Sequence, residues 1–138
     1  MLFAGCAKVN SQDLYTTTNR DNPYELADKL LEKIFSIYQN YSRDSFEQIV
    51  AQDFNPLRSE FIDNVEKSFY TGSILEMHYF VSKALLNGDK LLVGFKWEKK
   101  TVPYGIKEVT LSDGNADFIF KQGNKGWFLY QVSGNSPF

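Results

Sequence analysis

Few side chains in this sequence could carry chemistry, and they are scattered. There is one histidine, His78, and one cysteine, Cys6. A lone imidazole without a thiol cluster cannot build a zinc site of the usual kind, and a single thiol leaves no intramolecular disulfide. No metal and no other cofactor is expected. Acid–base catalysis would need an enclosed carboxylate facing a tyrosine or a protonated acid. The carboxylates in strand-like segments do not offer one. Asp117 alternates away from Ala116, Phe118 and Phe120, and Glu98 alternates away from Trp97. Glu76 shares the less apolar face of its segment with His78, which is expected at the surface or a sheet edge. Serine-nucleophile motifs are absent, and Gly123-Asn124-Lys125-Gly126 joins two strands instead of opening a helix onto a phosphate. No catalytic residue is assigned.

What remains is a set of aromatic residues with polar tips: Tyr38, Tyr79, Trp97 and Tyr130. These are the candidates for lining a pocket, with plain core packing the expected role of Tyr38 and Trp97. A buried tyrosine hydroxyl needs a partner, so Tyr79 and Tyr130 either orient a ligand or bond each other or the backbone. Asp53 and Arg58 form a second constellation. Asp53 falls at the C-terminal end of one predicted helix and Arg58 in the first turn of the next, so each opposes the local helix dipole. They are expected to pair across the corner as a structural ion pair.

Composition narrows the field. With 138 residues the chain makes one domain, able to bury roughly two thirds of the surface that its unfolded state exposes. Aromatic residues form 16% of it, enough for a ring-rich core or a lined cavity. A formal charge of -2 argues against nucleic acid, which requires a clustered basic face. The densest basic spot, Lys96, Lys99 and Lys100 around Glu98, is expected to be solvated. No apolar run is long enough to span a bilayer.

The elements that must position these residues divide the chain in two. Asn22 caps a helix with Pro23 in its first position and Glu25 completing a capping box. Leu26, Ala27, Leu30, Leu31, Ile34, Ile37, Tyr38 and Tyr41 then recur at helical spacing. A short second helix is signalled by Asp44 and Glu47, with Phe46, Ile49 and Val50 buried. A third starts after Asn55-Pro56 and is expected to bury Leu57, Phe61, Ile62, Val65 and Phe69 before stopping near Gly72. From Ile74 the period becomes two. Leu75, Met77, Tyr79, Val81 and Leu85 share one face, Asn87-Gly88 makes a hairpin turn, and Leu91, Val93, Phe95 and Trp97 define the clearest strand. Gly94 is proposed as a bend. Segments 106–111 and 116–121 are expected as strands, with Asp113-Gly114-Asn115 as a turn or bulge between them. Trp127 to Val132 forms the last strand.

Three amphipathic helices followed by an antiparallel meander give an α+β arrangement, the helices packed on a curved sheet of about four to five strands. This order resembles the NTF2-like superfamily, the cystatin-like cone shared with ketosteroid isomerase and SnoaL proteins. The resemblance covers about residues 22–138 and rests on element order, on Gly114-x-Ala116-x-Phe118-x-Phe120, on Trp127-x-Leu129, and on the ending Gly134-Asn135-Ser136-Pro137-Phe138. Many members carry a short strand pair between the second and third helices, for which Asp53 to Pro56 leaves no room. The resemblance implies a cavity between helices and sheet. Its occupant would be a small apolar ligand, a peptide or an envelope protein, and the alternative function is a small cofactor-free enzyme of the ketosteroid isomerase type. It also allows a homodimer through the outer sheet face.

Residues 1–21 are a separate unit. Ala4-Gly5-Cys6 is similar to the end of a bacterial lipobox, with Phe3 in place of the usual Leu or Val, and a polar tether follows from Ala7 to Arg20. This implies lipidation at Cys6 and an address in the bacterial cell envelope, facing the periplasm or the cell exterior. The membrane would be met only through that anchor. The alternative is a cytoplasmic chain with an ordinary polar N-terminus.

Overall fold

Asn22 opens the structure by accepting the Glu25 backbone N–H at 3.2 Å on its side-chain oxygen. The computed structural model describes residues 22–138, so Cys6 and the tether lie outside the described residues. Helix α1 runs Pro23–Tyr38, α2 Arg43–Glu47 and α3 Arg58–Ser68. Strands β1 (Gly72–Asn87), β2 (Lys90–Pro103), β3 (Thr110–Gly123) and β4 (Gly126–Gly134) form one antiparallel sheet in sequence order. The expected α+β architecture is the one observed, with four strands.

Helix α1 buries Leu26, Ala27, Leu31, Ile34, Phe35 and Tyr38. It stops three residues before the sequence pattern does. Tyr41 turns the chain at a φ of 56°, and its hydroxyl accepts the Ile74 N–H at 2.7 Å. Its ring packs edge-on against Phe69 instead of joining the stripe. Helix α2 is capped by Ser42, whose side chain accepts the Ser45 N–H. Leu57, expected inside, is 57% exposed as the residue before α3.

The corner between α2 and α3 is held differently from expectation. The Asp53–Arg58 pair does not form. Arg58 Nε donates to the Ala51 carbonyl at 3.0 Å and its Nη2 donates to Glu47 and Val50 carbonyls at 3.0 and 3.4 Å. These carbonyls stand at the last residue of α2 and just beyond it, where a cation is favoured by the dipole, and those of Glu47 and Ala51 also accept the Val50 and Phe54 N–H groups. Arg58 therefore answers the preceding helix. Asp53 instead meets Lys121 of β3 at 2.6 Å. On the outer side Arg43 bridges Glu47, Asp63 and Glu66 at 3.1, 2.7 and 2.7 Å, tying α2 to α3.

The connection after α2 also covers part of the β4 edge of the sheet. Ala51 N–H donates to the Leu129 carbonyl, Leu129 N–H to Ile49, and Asn55 N–H to the Tyr130 carbonyl. An uncovered edge strand would leave such groups free to recruit other chains.

Strand β2 is the centre of the core: Leu91, Val93, Phe95 and Trp97 are all buried, as their alternation demands. Strand β1 follows its sequence pattern only in the middle. Its pairing skips at Leu75 and at Ser82, where two residues face one on β2. Each extra residue reverses the faces beyond it. Met77, Tyr79 and Val81 face the core, but after the second bulge Ala84 and Leu86 do so, while Leu85 and Lys83 turn outward. Leu75 and Leu85 are each 56% exposed. The bulge lies opposite Gly94, whose carbonyl accepts the Ser82 hydroxyl at 3.1 Å. The local bend thus belongs to β1, with Gly94 as its partner.

Strand β3 is continuous through Asp113-Gly114-Asn115 with unbroken pairing to β2, so neither a turn nor a bulge occurs there. Residues 106–109 are loop, and the strand begins at Thr110. Gly114 is needed for closeness: a Cβ there would sit 3.0 Å from the Trp97 ring and 2.8 Å from Asn135 Cβ. Gly114→Ala is expected to cost about 1–3 kcal/mol through overpacking, read as a lowered urea midpoint.

Candidate functional site

The space between the helices and the concave face of the sheet is occupied by the last residue of the sequence. The Phe138 ring lies 4.8 Å from Tyr38, 5.2 Å from Phe46, 5.6 Å from Phe118, 6.0 Å from Phe35 and 6.1 Å from Phe61, centroid to centroid. Helix α1 packs on the sheet directly, through Phe35 against Phe95 at 5.9 Å. Helix α3 meets it through Phe138, which touches Phe61 on one side and stacks on Phe118 on the other. A groove of about 390 Å³, lined by Phe54, Leu57, Phe61 and Val132, leads from the surface to Phe138.

The tail carrying Phe138 is held by donors from β2. Trp97 Nε1–H donates to the Asn135 carbonyl at 2.7 Å, and Lys99 Nζ donates to the Pro137 carbonyl. Asn135 N–H returns to the Asn115 carbonyl at 2.9 Å. Tyr38 is 1% exposed, and its hydroxyl lies 3.0 Å from Ser68 Oγ. Ser68 gives its own proton to the Val65 carbonyl, so the phenol is the donor. Burial raises the Tyr38 pKa above the usual tyrosine range.

Of the four aromatic candidates, Tyr38 and Trp97 come together in this cone. Tyr79 sits at its side, its ring 5.4 Å from Phe35 and its hydroxyl donating to the Asp28 carbonyl at 3.3 Å. Tyr130 does not belong to the site. It is the extra residue of a bulge in β4, between the pairs Ile119–Gln131 and Phe120–Leu129. That bulge sends its ring to the outer face, 5.5 Å from Lys90 Nζ and 5.3 Å from Lys121 Nζ. The expectation that Tyr79 and Tyr130 bond each other is not met.

Two residues of the site escaped the sequence reading. Phe138 carries no local signal. Lys99 does: it continues the odd-numbered face of Leu91, Val93, Phe95 and Trp97, yet it reads as part of a solvated basic cluster. Its ammonium lies 5.6 Å from the Tyr38 ring and 5.8 Å from the Trp97 ring. No carboxylate among the described residues forms a salt bridge with it. Burial pushes its pKa below the usual lysine value, because an ammonium out of water loses hydration that one carbonyl restores only in part.

This has a consequence for stability. A depressed lysine pKa means that the native state holds the proton less tightly than the unfolded chain, so charged Lys99 opposes folding near neutral pH. The penalty fades as pH rises from the lowered value toward the ordinary one. Lys99→Met is therefore expected to melt a few degrees higher than wild type at pH about 7, and the gap should narrow on the alkaline side. Thermal melts across that range check it.

The outer sheet face holds a hollow of about 470 Å³, lined by Glu76, His78, Glu98, Lys100, Leu111 and Asp113. Glu76 lies 3.2 Å from His78 and 3.5 Å from Lys100. The His78 bond, then the Lys100 charge, holds its carboxyl below the ordinary range. His78 is at the surface as expected, with 59% of its side chain exposed. Such open ion pairs contribute little and hold no shape. No cluster of metal-ligating side chains occurs among the described residues.

No protein-family model and no curated protein matches the sequence. Solved structures do. A conserved protein from Planctomyces limnophilus is 18% identical with a TM-score of 0.65, covering 80% of this chain and 97% of its own. An NTF2-like superfamily protein from Salmonella enterica serovar Typhimurium is 14% identical with a TM-score of 0.67, covering 89% and 94%. A ketosteroid isomerase-like protein from Erwinia carotovora atroseptica is 15% identical with a TM-score of 0.65, covering 84% and 100%. Three helices on a curved four-stranded meander, superimposing on these proteins over most of its length, give this chain the NTF2-like fold.

Proposed function

We propose that the protein is a non-catalytic binding module whose cone receives one aromatic or apolar guest. The observation that carries this reading is the seat of Phe138, a half-buried ring packed among five others on a segment outside any helix or strand. We take that ring as displaceable, and the space it would leave has the shape and chemistry for another. The competing reading, an isomerase of the ketosteroid type, needs a carboxylate base inside the cone. Among the described residues no Asp or Glu is buried: Glu60 lines the groove that leads to Phe138 but is exposed, and the groups packed on Phe138 and its tail are Tyr38 and Lys99.

The test is fluorescence titration with N-phenylnaphthylamine, a neutral aromatic probe. Phe138→Ala is expected to bind it at least about tenfold more tightly than wild type, since the ring no longer competes at a high effective concentration. Equal, negligible binding to both would overturn the reading. Turnover of a β,γ-unsaturated ketone by Phe138→Ala would establish the enzyme instead.

The address is proposed separately. The Ala4-Gly5-Cys6 sequence supports a lipid anchor in the cell envelope. Labelled fatty acid should enter the native protein and be lost in Cys6→Ala, and unchanged labelling excludes the anchor. Exposed Phe80, Leu85 and Leu111 on the outer sheet face support a homodimer, which a solution mass tests.

A further inference from the structure

Resting on the cone as a guest site, we infer that its preferred guest is an aromatic anion, with Lys99 as the anchoring cation. Two facts about the resting occupant lead there. The tail fills the aromatic cage with Phe138, and the bond it accepts from the Lys99 ammonium falls on the neutral carbonyl of Pro137, with no salt bridge to Lys99. An ammonium carries three protons to donate, and a bond from it to a carboxylate or sulfonate is about twice as strong as one between neutral groups. The tail thus matches the apolar part of the site and leaves its charge unanswered.

The rest of the chain does not answer it either. The neighbouring charges on β2, Glu98 and Lys100, point to the outer face, where Glu76 pairs with Lys100. Of the helix acids, Glu47, Asp63 and Glu66 are gathered by Arg43, and Glu60, exposed on the rim of the groove, forms no salt bridge with Lys99. The aromatic faces of Tyr38 and Trp97 flank the ammonium at 5.6 and 5.8 Å. They stabilise a cation there and keep the charge in place when the tail withdraws. Burial already depresses the Lys99 pKa, so an arriving anion recovers a desolvation cost that is present in the free protein.

Two probes on one scaffold separate this from the parent reading. Anilinonaphthalene sulfonate carries an anionic group, and N-phenylnaphthylamine lacks it. Both are titrated into wild type, Phe138→Ala, Lys99→Met, Lys99→Arg and the double variants that combine Phe138→Ala with each Lys99 change. In the Phe138→Ala background, where the competing ring is gone, Lys99→Met should weaken the sulfonate by about tenfold, leave the neutral probe within about twofold, and be rescued by Lys99→Arg. The ratio of the two affinities is read within each protein, so a change in overall stability does not mimic the result. A sulfonate affinity unmoved by Lys99→Met, or lost equally with that of the neutral probe, overturns the anion and leaves the guest site standing. Failure of the neutral probe on Phe138→Ala overturns the guest site itself.

Discussion

Phe118→Ala is expected to destabilise the protein by about 3–5 kcal/mol, the cost of removing a fully enclosed aromatic ring from a core that cannot collapse around the void. Phe118 is 0% exposed and lies 4.7 Å from Phe95, 5.6 Å from Phe138 and 6.4 Å from Phe35. It stands on a strand paired on both sides, so its backbone cannot follow a retreating neighbour. Phe138→Ala removes a ring of the same size from the same cluster, but should cost only about 1–3 kcal/mol, because the ring is half-buried and its tail can shift. Urea unfolding of the two variants measures the difference. Equal costs would mean that Phe138 is as much a part of the frame as Phe118, and the picture of a detachable occupant would fail with it.

Arg58→Ala should cost about 2 kcal/mol or more, since it strips charge-assisted hydrogen bonds from three carbonyls at a partly buried helix end. Two of those carbonyls belong to Val50 and Ala51, which are 2% and 7% exposed and leave little room for water to substitute. Arg58→Lys should recover less than half of the loss, because a single ammonium cannot reach all three acceptors as a planar fork does. Asp53→Ala should be nearly neutral, since its partner is the exposed Lys121 bridge. A double-mutant cycle on Asp53 and Arg58 should give no coupling energy beyond error. Measurable coupling would restore the ion pair that helix dipoles suggest and that the geometry replaces.

Arg58 also shows how far sequence reasoning reached. A cation in the first turn of α3 opposes the helix dipole and needs a partner. The partner expected from side-chain charge is Asp53, yet backbone acceptors at the end of α2 take the bonds. Backbone carbonyls are invisible to a reading of side-chain types. Lys99 is the converse case. Its face was legible from the alternation of β2, but its neighbours suggested solvent, and only the tail's position gives it a buried partner.

Local order was encoded locally. The capped start of α1, the buried face of β2, the hairpin at Asn87-Gly88 and the α+β sequence of elements all follow from short-range periodicity and turn chemistry. Those signals span a few residues, and each element satisfies them by itself. The tertiary structure decided what no single element can. Bulges at Leu75, Ser82 and Tyr130 depend on how two strands share their hydrogen bonds, so Leu85 ends on the face opposite to the one that alternation assigns and Tyr130 stands outside the cone. The occupant of the cone was decided by competition among distant rings for one enclosed space. Phe138 takes it because β2 and β3 hold the tail above that space through Trp97, Lys99 and Asn115, residues about twenty to forty positions away along the chain.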